Sequence, residues 1–393
     1  MSRATLYRGA ALADGRSDRL QLNQSLLVAE GRIAWIRSTD GEEELPENAE
    51  VVDAGGATAV PGLVDCHSHL TGPGGVNWIA RFSDPPEVLE ATAERNGELL
   101  DRAGIRWARD VGAPPGPDGK ALTLKIREHW HGRHDRPYVR AAGTWVTREG
   151  TIPRITAEAK DGDELLRLAM QQLDDGADFV KLYLDGPDPD TAPWTANEVK
   201  RVVDAAHARK ARVTAHSGRL NGTEVCAEAG VDSIEHGFEI DAASAARMAE
   251  RGIVLVSTLT VFKSWQSFAA TTTVERFTSA EGRKRLAARR EAAYESIRRA
   301  KAAGVVIAAG TDFGGGSARA NQLAWEVEAL VEAGLEPFEA LGAATWRGGE
   351  LLGEADAGTI REGGPADFFL VHGDPLSDPG ALWRVWRTAW SHA

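Results

Sequence analysis

The chain has 393 residues, 42% of them hydrophobic, enough for one large domain with a well-buried core or for two. Its formal net charge of −13 argues against a general affinity for nucleic acid or for an anionic membrane. Two cysteines, Cys66 and Cys226, exclude a disulfide framework and fit a reducing compartment. MSRATLYRGAALADGRSD has no apolar leader, and no run of eighteen apolar residues occurs, so the expectation is a cytoplasmic protein without signal peptide or membrane span.

The first 56 residues carry short apolar runs: TLYRGAAL (5–12), QSLLVAEGRIAWIRS (24–38) and AEVVDAGG (49–56). EGR inside the second is a hairpin signal, and no helical period appears. From residue 57 the rhythm changes. TAVPGLVDCHSHL precedes a helical pattern, PPEVLEATAERNGELLDRAG, that stops at glycine. IRWARDVG (105–112) and RPYVRAAG (136–143) follow as strands. DGDELLRLAMQQLDDGA (161–177) is a helix before the strand DFVKLYLDG (178–186). TANEVKRVVDAAHARKA precedes RVTAHSG (212–218), and GTEVCAEAG precedes VDSIEHG (231–237). GIVLVSTLT (252–260) is another strand. A charged helix around 276–303 leads into GVVIAAGTDFGGG (304–316).

Strands alternating with helices predict an α/β protein with a parallel sheet. Eight such units over residues 57–356 predict a closed (β/α)8 TIM barrel. After helices at 321–333 and 337–352, GTIREGGPADFFLVHG (358–373) and WRVWRTAW (383–390) return to strand patterning. The simplest arrangement joins residues 1–56 and 357–393 in one small β-sandwich, with the barrel inserted between its halves. The chain stops soon after WRTAW, so this sandwich is expected to lack a last strand.

In a barrel of this kind, functional residues gather where strands finish. The first strand finishes in His67 and His69, and the fourth carries Lys181. The fifth ends in His216, the sixth in His236 and the eighth in Asp312. Each alone has an ordinary explanation, such as a hydrogen-bonded histidine, a turn-starting aspartate or a lysine reaching solvent. Together they place four of the ten histidines, with an acid and a lysine, at one rim.

Side chains alternate along a strand, so His67 and His69 point the same way. Two imidazoles on one face can hold a divalent ion, at about 2.0–2.1 Å for zinc. Asp312 adds an oxygen, and His216 with His236 can hold a second ion. An ammonium beside two cations would be repelled. Burial near cations favours the neutral amine, which carbon dioxide converts to a carbamate, an anionic bridge.

VPGLVDCHSHL, RWARDVG, DFVKLYLDG, RVTAHSG, DSIEHG and AAGTDFG occur in this order, followed by EVEALVEAGLEPFEALGAAT and GTIREGGPADFFLVHGDPL. In these motifs the chain resembles the metal-dependent amidohydrolase superfamily, nearest its imidazolonepropionase-like and prolidase-like (Xaa-Pro and Xaa-Arg dipeptidase-type) branch. The resemblance covers nearly the whole chain. It implies a (β/α)8 barrel flanked by a β-sandwich, with two divalent metal ions, Zn2+ by preference. It implies that His67, His69, Lys181 and Asp312 bind the first ion, and that N6-carboxylated Lys181, His216 and His236 bind the second.

The chain also departs from its kin. GTWVTREGTIPR (143–154) lacks the Gly-Gly-His of many prolidase-like members. His216-Ser-Gly-Arg219 lacks the glutamate of the His-x-x-Glu found in adenosine- and cytosine-type deaminases.

The expected reaction is hydrolysis of an amide C–N bond, in an N-acyl amino acid, a dipeptide or a related small amide. A metal-bridging hydroxide attacks the carbonyl. Asp312 is the catalytic base and then the acid towards the leaving nitrogen. Tyr183, two residues beyond Lys181, and Arg219 are candidate substrate contacts, the latter as a carboxylate fork. Asp110 in RWARDVG is a candidate support that orients a ligand histidine. The loops 71–86 and 260–277 bring Trp78, Phe82, Phe262, Trp265 and Phe268 as a candidate lid over an apolar pocket. The partner is a small-molecule substrate, with neither nucleic acid nor membrane, and a homo-oligomer stays open. Alternatives on the same residues are a lactone or cyclic-amide hydrolase or cyclase, a mononuclear deaminase, and a scaffold without activity.

Overall fold

In the computed structural model, the structure describes residues 4–152, 155–188 and 190–390. The two ends of the chain meet in one seven-stranded sheet. Thr5–Leu12 pairs antiparallel with Gln21–Ala29, which pairs with Arg32–Ser38. Glu50–Asp53 and Ala57–Pro61 run parallel to Thr5–Leu12. Phe368–His372 lies antiparallel to Ala57–Pro61, and Val385–Ala389 closes the order at the edge. Tyr7, Leu26, Ile33, Phe368 and Leu370 pack together in the apolar core of this sheet.

Gly62 carries the chain from this sheet into the next. A Cβ there would meet Arg106 Cβ at 2.7 Å. Buried Arg106 in turn donates to Asp367 Oδ1 at 3.0 Å, tying the entry point to the C-terminal segment.

The eight strands expected of the middle region are all present. They are β1 (Leu63–Ser68), β2 (Ile105–Asp110), β3 (Tyr138–Ala141), β4 (Phe179–Tyr183), β5 (Arg212–Ser217), β6 (Ser233–His236), β7 (Val254–Ser257) and β8 (Ile307–Ala309). All pairings among them are parallel. They form an α/β fold with parallel sheets: β1-β2-β3 in one, and β4 to β8 in order in the other. Two short strands, Val146–Arg148 and Ala157–Ala159, extend the second sheet beyond β4. Backbone bonds also cross between the sheets. Asp312 N–H donates to His67 O at 2.8 Å, His69 N–H to Phe313 O at 3.0 Å and Asp178 N–H to Ala141 O at 2.8 Å.

Helices between strands start and stop where local chemistry directs. Asp161 caps Gly162–Asp174, and Thr195 and Glu198 form a reciprocal capping box on Ala196–Ala208. Left-handed glycines Gly230, Gly252, Gly304 and Gly353 end four helices.

Two elements differ from the sequence expectation. The helix expected over 337–352 is broken into Pro337–Ala343 and Trp346–Leu352. The Ala344 carbonyl instead accepts Val64 N–H of β1 at 2.8 Å. The strand expected over 358–373 is regular only at Phe368–His372. Ahead of it, Gly363 N–H donates to Ile33 O and Ile33 N–H to Gly364 O, so the glycine-proline turn grips the hairpin edge instead.

Candidate active site

The six residues singled out by their strand-end positions come together at one rim. His67, His236 and Asp312 each offer a ligand atom, all within 4.8 Å of one another. His67 Nε2 and His69 Nε2 each lie 3.4 Å from Asp312 Oδ1. The His67 and His236 ring centroids are 4.6 Å apart, and those of His216 and His236 are 4.4 Å apart.

Each imidazole has one nitrogen tied back. His67 Nδ1 meets Glu235 Oε2 at 2.6 Å, and His69 Nδ1 meets the Gly112 carbonyl at 2.7 Å. His216 Nε2 meets Asp185 Oδ2 at 3.0 Å, and His236 Nδ1 meets Thr258 Oγ1 at 2.7 Å. Carbonyl and carboxylate oxygens only accept, so three of these nitrogens must carry the proton. In the neutral ring, the opposite nitrogen then holds a lone pair free for a metal. Burial, with the charges of Lys181 for His67 and of His216 for His236, holds both histidines below the ordinary imidazole value.

Two backbone conformations aim the site. His236 has φ of 72° and Asp312 has φ of 55°, in the left-handed region that non-glycine residues rarely adopt. Gly315 is required beside them, because a Cβ there would collide with the His69 ring. Burial alone would raise the Asp312 carboxyl. The adjoining rings of His67, His69 and His236 outweigh it and hold the group well below the usual carboxylate range.

Lys181 is 1% exposed, and its Nζ has no hydrogen-bond partner. Burial pulls its pKa down to about 8. An amine so readily deprotonated, among four histidines and a carboxylate, is the group that fits conversion to an anionic ligand. The donor set therefore fits divalent ions.

Beneath the site lies a polar layer that strand-end inspection overlooks. Glu235 is fully buried. It accepts from Arg109 Nη1 at 2.8 Å and Ser233 Oγ at 3.2 Å, and from Thr214 Oγ1. Against the opposing effect of burial, the charges of Arg109 and Lys181 and the bond to His67 hold its carboxyl far below the ordinary value. Strand alternation places Ser233 and Glu235 on one face, a signal that SIEHG carries.

Asp110 touches no ring. Its oxygens accept Leu70 N–H at 2.7 Å and Gly112 N–H at 2.9 Å. It thus fixes the loop whose Gly112 carbonyl holds His69. Burial raises its carboxyl to about 6.

A cavity of about 620 Å³ opens above the cluster. Tyr183 lines it, stacked on His216 at 3.8 Å between centroids. Trp78 and Phe82 line it too, as the lid expectation had it, whereas Phe262, Trp265 and Phe268 are not among its lining residues. Trp265 instead backs Trp78, with centroids 6.5 Å apart. Trp145, which sequence inspection passed over, forms a wall against His69 and Phe82. Ile152 and Ile155 of the loop after β3 add apolar surface. Arg219 does not line the cavity; its Nη1 reaches the Asp188 carbonyl at 3.4 Å.

Residues 58–388 match the model of the Amidohydrolase family. The chain belongs to the amidohydrolase family. An uncharacterized protein of Mycobacterium tuberculosis is 31% identical over 354 residues, 88% of each chain. Ochratoxinase of Aspergillus niger is 30% identical over 441 residues, covering 98% of this chain and 86% of that one. A solved Xaa-Pro dipeptidase with methionine bound in its active site superposes with a TM-score of 0.84 at 26% identity, covering 98% of both chains. Within the family the chain sits in the imidazolonepropionase- and prolidase-like branch. This amidohydrolase is a hydrolase acting on carbon–nitrogen bonds. Among its described residues, no helix is long and apolar enough to cross a membrane.

Proposed function

We propose that this amidohydrolase cleaves the amide bond of a small molecule with a bulky apolar portion, such as an N-acyl amino acid or dipeptide. We read the fold behind it as a closed (β/α)8 barrel with a β-sandwich built from the chain ends; the bonds from Asp312 and His69 to the opposite strand support closure. In this reading His67, His69 and Asp312 would hold one divalent ion and His216 and His236 a second. Zinc would be the metal of choice, with carboxylated Lys181 as an anionic ligand. The observation that carries it is the buried, partnerless Lys181 amine enclosed by histidines whose outer nitrogens are all tied back.

When bound, divalent ions supply Lewis acidity to the amide carbonyl and lower the pKa of water towards neutrality. The protein's own residues do the rest. Asp312, ionised and at the cavity floor, accepts the proton of the attacking water and returns it to the leaving nitrogen. Tyr183, fixed by its stack on His216, orients the substrate beside the floor. Trp78, Phe82 and Trp145 take the apolar portion and exclude water. Ochratoxinase and Xaa-Pro dipeptidase, by their names, belong with amide-cleaving proteins, which favours an amide over a lactone.

The test is a panel of N-acyl amino acids, dipeptides and lactones, with metal content measured on the same samples. Asp312→Asn is expected to lower kcat by roughly 10²–10⁴ while two metals per chain remain bound. Wild-type turnover in that variant would remove Asp312 from the proton path.

A further inference from the structure

Beside the main cavity lies a second one of about 240 Å³, lined by Trp265, Arg276, Phe277, Gly282, Arg285 and Arg289. Trp78 stands between the two. It lines the main cavity, and the Arg276 guanidinium carbon lies 4.8 Å from its ring centroid. Arg276 also covers Phe277 at 4.4 Å, and Arg289 covers Trp265 at 5.7 Å.

No carboxylate lines this hollow. Among the described residues, none of the three guanidiniums makes an ion pair, although 58 acidic residues are available in the chain. Arg285 and Arg289 also sit in the first three turns of the helix Ala280–Ala303, with Arg283 and Lys284 beside them. Several like charges are thus gathered around one hollow, and an anion held between them would relieve their mutual repulsion. Guanidinium forks match carboxylate oxygens, and the Trp265 and Phe277 rings offer an apolar face alongside.

We infer that this hollow binds an aromatic carboxylate, presented as the acidic end of a substrate whose body fills the main cavity, or as a free acid. The substrate-end form rests on the amide-hydrolase reading; the anion site does not.

Calorimetric titration of the metal-replete protein with 1-naphthoate tests the site directly. Binding is expected in the wild type and in Asp312→Asn, which lacks turnover. It should weaken at least tenfold in the double variant Arg276→Gln/Arg289→Gln. It should also weaken in Arg285→Glu, an exposed position that does not carry the fold. Absence of naphthoate binding in the wild type, or equal binding in these variants, overturns the proposal.

A kinetic comparison separates the two sources. An N-acyl-phenylalanine is set against the N-acyl phenethylamine that lacks only the carboxylate. If the substrate end is read, the wild type prefers the acid in kcat/KM, and the double variant loses that preference tenfold or more. If a free acid is read, the preference is unchanged, and naphthoate alters turnover in the wild type alone. Naphthoate binding without hydrolysis of any amide would leave the anion site standing and sink the amide reading.

Discussion

A buried lysine without a hydrogen-bond partner is costly when charged, and Lys181 reflects that in a pKa drawn down to about 8. The folded value lies below the ordinary 10.5, so folding favours the neutral amine. The metal-free protein in bicarbonate-free buffer therefore carries the full penalty below pH 8. It gains stability as the pH rises from about 8 towards the unfolded value. The gain is on the order of 3 kcal/mol. Denaturant midpoints across that window should rise for the wild type relative to Lys181→Met, and parallel curves would refute the assignment.

Glu235 works one step removed, holding His67 Nδ1 on one oxygen and Arg109 on the other. Glu235→Gln keeps the shape but removes the charge that fixes the tautomer. Metal affinity, titrated against a chelator, is expected to fall by roughly 10–100-fold with the circular dichroism unchanged.

These two residues mark how much of the site was legible. His67, His69, His216 and Lys181 follow from strand position alone. His236 follows from its strand-end position, although alternation points Glu235 inward and its neighbour outward. Only the positive φ of His236 brings both to bear, and no local sequence rule encodes it.

At the scale of elements, the strand and helix order was readable because each apolar run is short and several helices carry their own side-chain caps. What was not readable is where backbone groups are captured from far away. The carbonyl of Ala344 is diverted to Val64, and this breaks a helix whose periodicity is continuous. Glu326 is another long-range clasp. Within Leu323–Glu332 it is fully buried, and it accepts Ser257 Oγ at 2.7 Å, Thr260 N–H at 2.6 Å and Thr260 Oγ1 at 2.8 Å. It thereby ties the end of β7 to the start of the helix Thr260–Ser267, which carries Trp265 behind the cavity wall. Glu326→Leu leaves the buried Thr260 amide and hydroxyl without partners and Ser257 Oγ with only the Ala308 carbonyl at 3.4 Å. The expected cost is about 2–4 kcal/mol, read as a lower urea midpoint at unchanged m. Glu326→Gln, which retains an acceptor, should recover part of it.

Across the whole molecule, the six site residues come from β1 and the residue that follows it, β4, β5, β6 and the turn after β8. The chain ends meet through Ala57–Pro61 against Phe368–His372, directly ahead of β1. Pairing across some 300 residues leaves no trace in local patterning, although the shared strand-rich style of the two ends hinted at it. The rim therefore has two kinds of support: a sheet beneath β1 that needs no ligand, and a polar cluster that does. Without an ion, the cluster holds a partnerless amine, imidazole lone pairs on His67, His69 and His216, and two residues in left-handed backbone. Each such backbone strain costs on the order of 1–3 kcal/mol. An ion that binds only the folded chain offsets this by mass action, about 2.7 kcal/mol at a hundredfold excess over Kd. Stripping the protein with a chelator is thus expected to lower its Tm by several degrees. Adding zinc with bicarbonate should restore it, and His216→Ala should shrink the difference between the two states. An unchanged Tm on stripping would mean that the rim is held by the protein alone, and that the strained turns at His236 and Asp312 are paid for elsewhere in the fold.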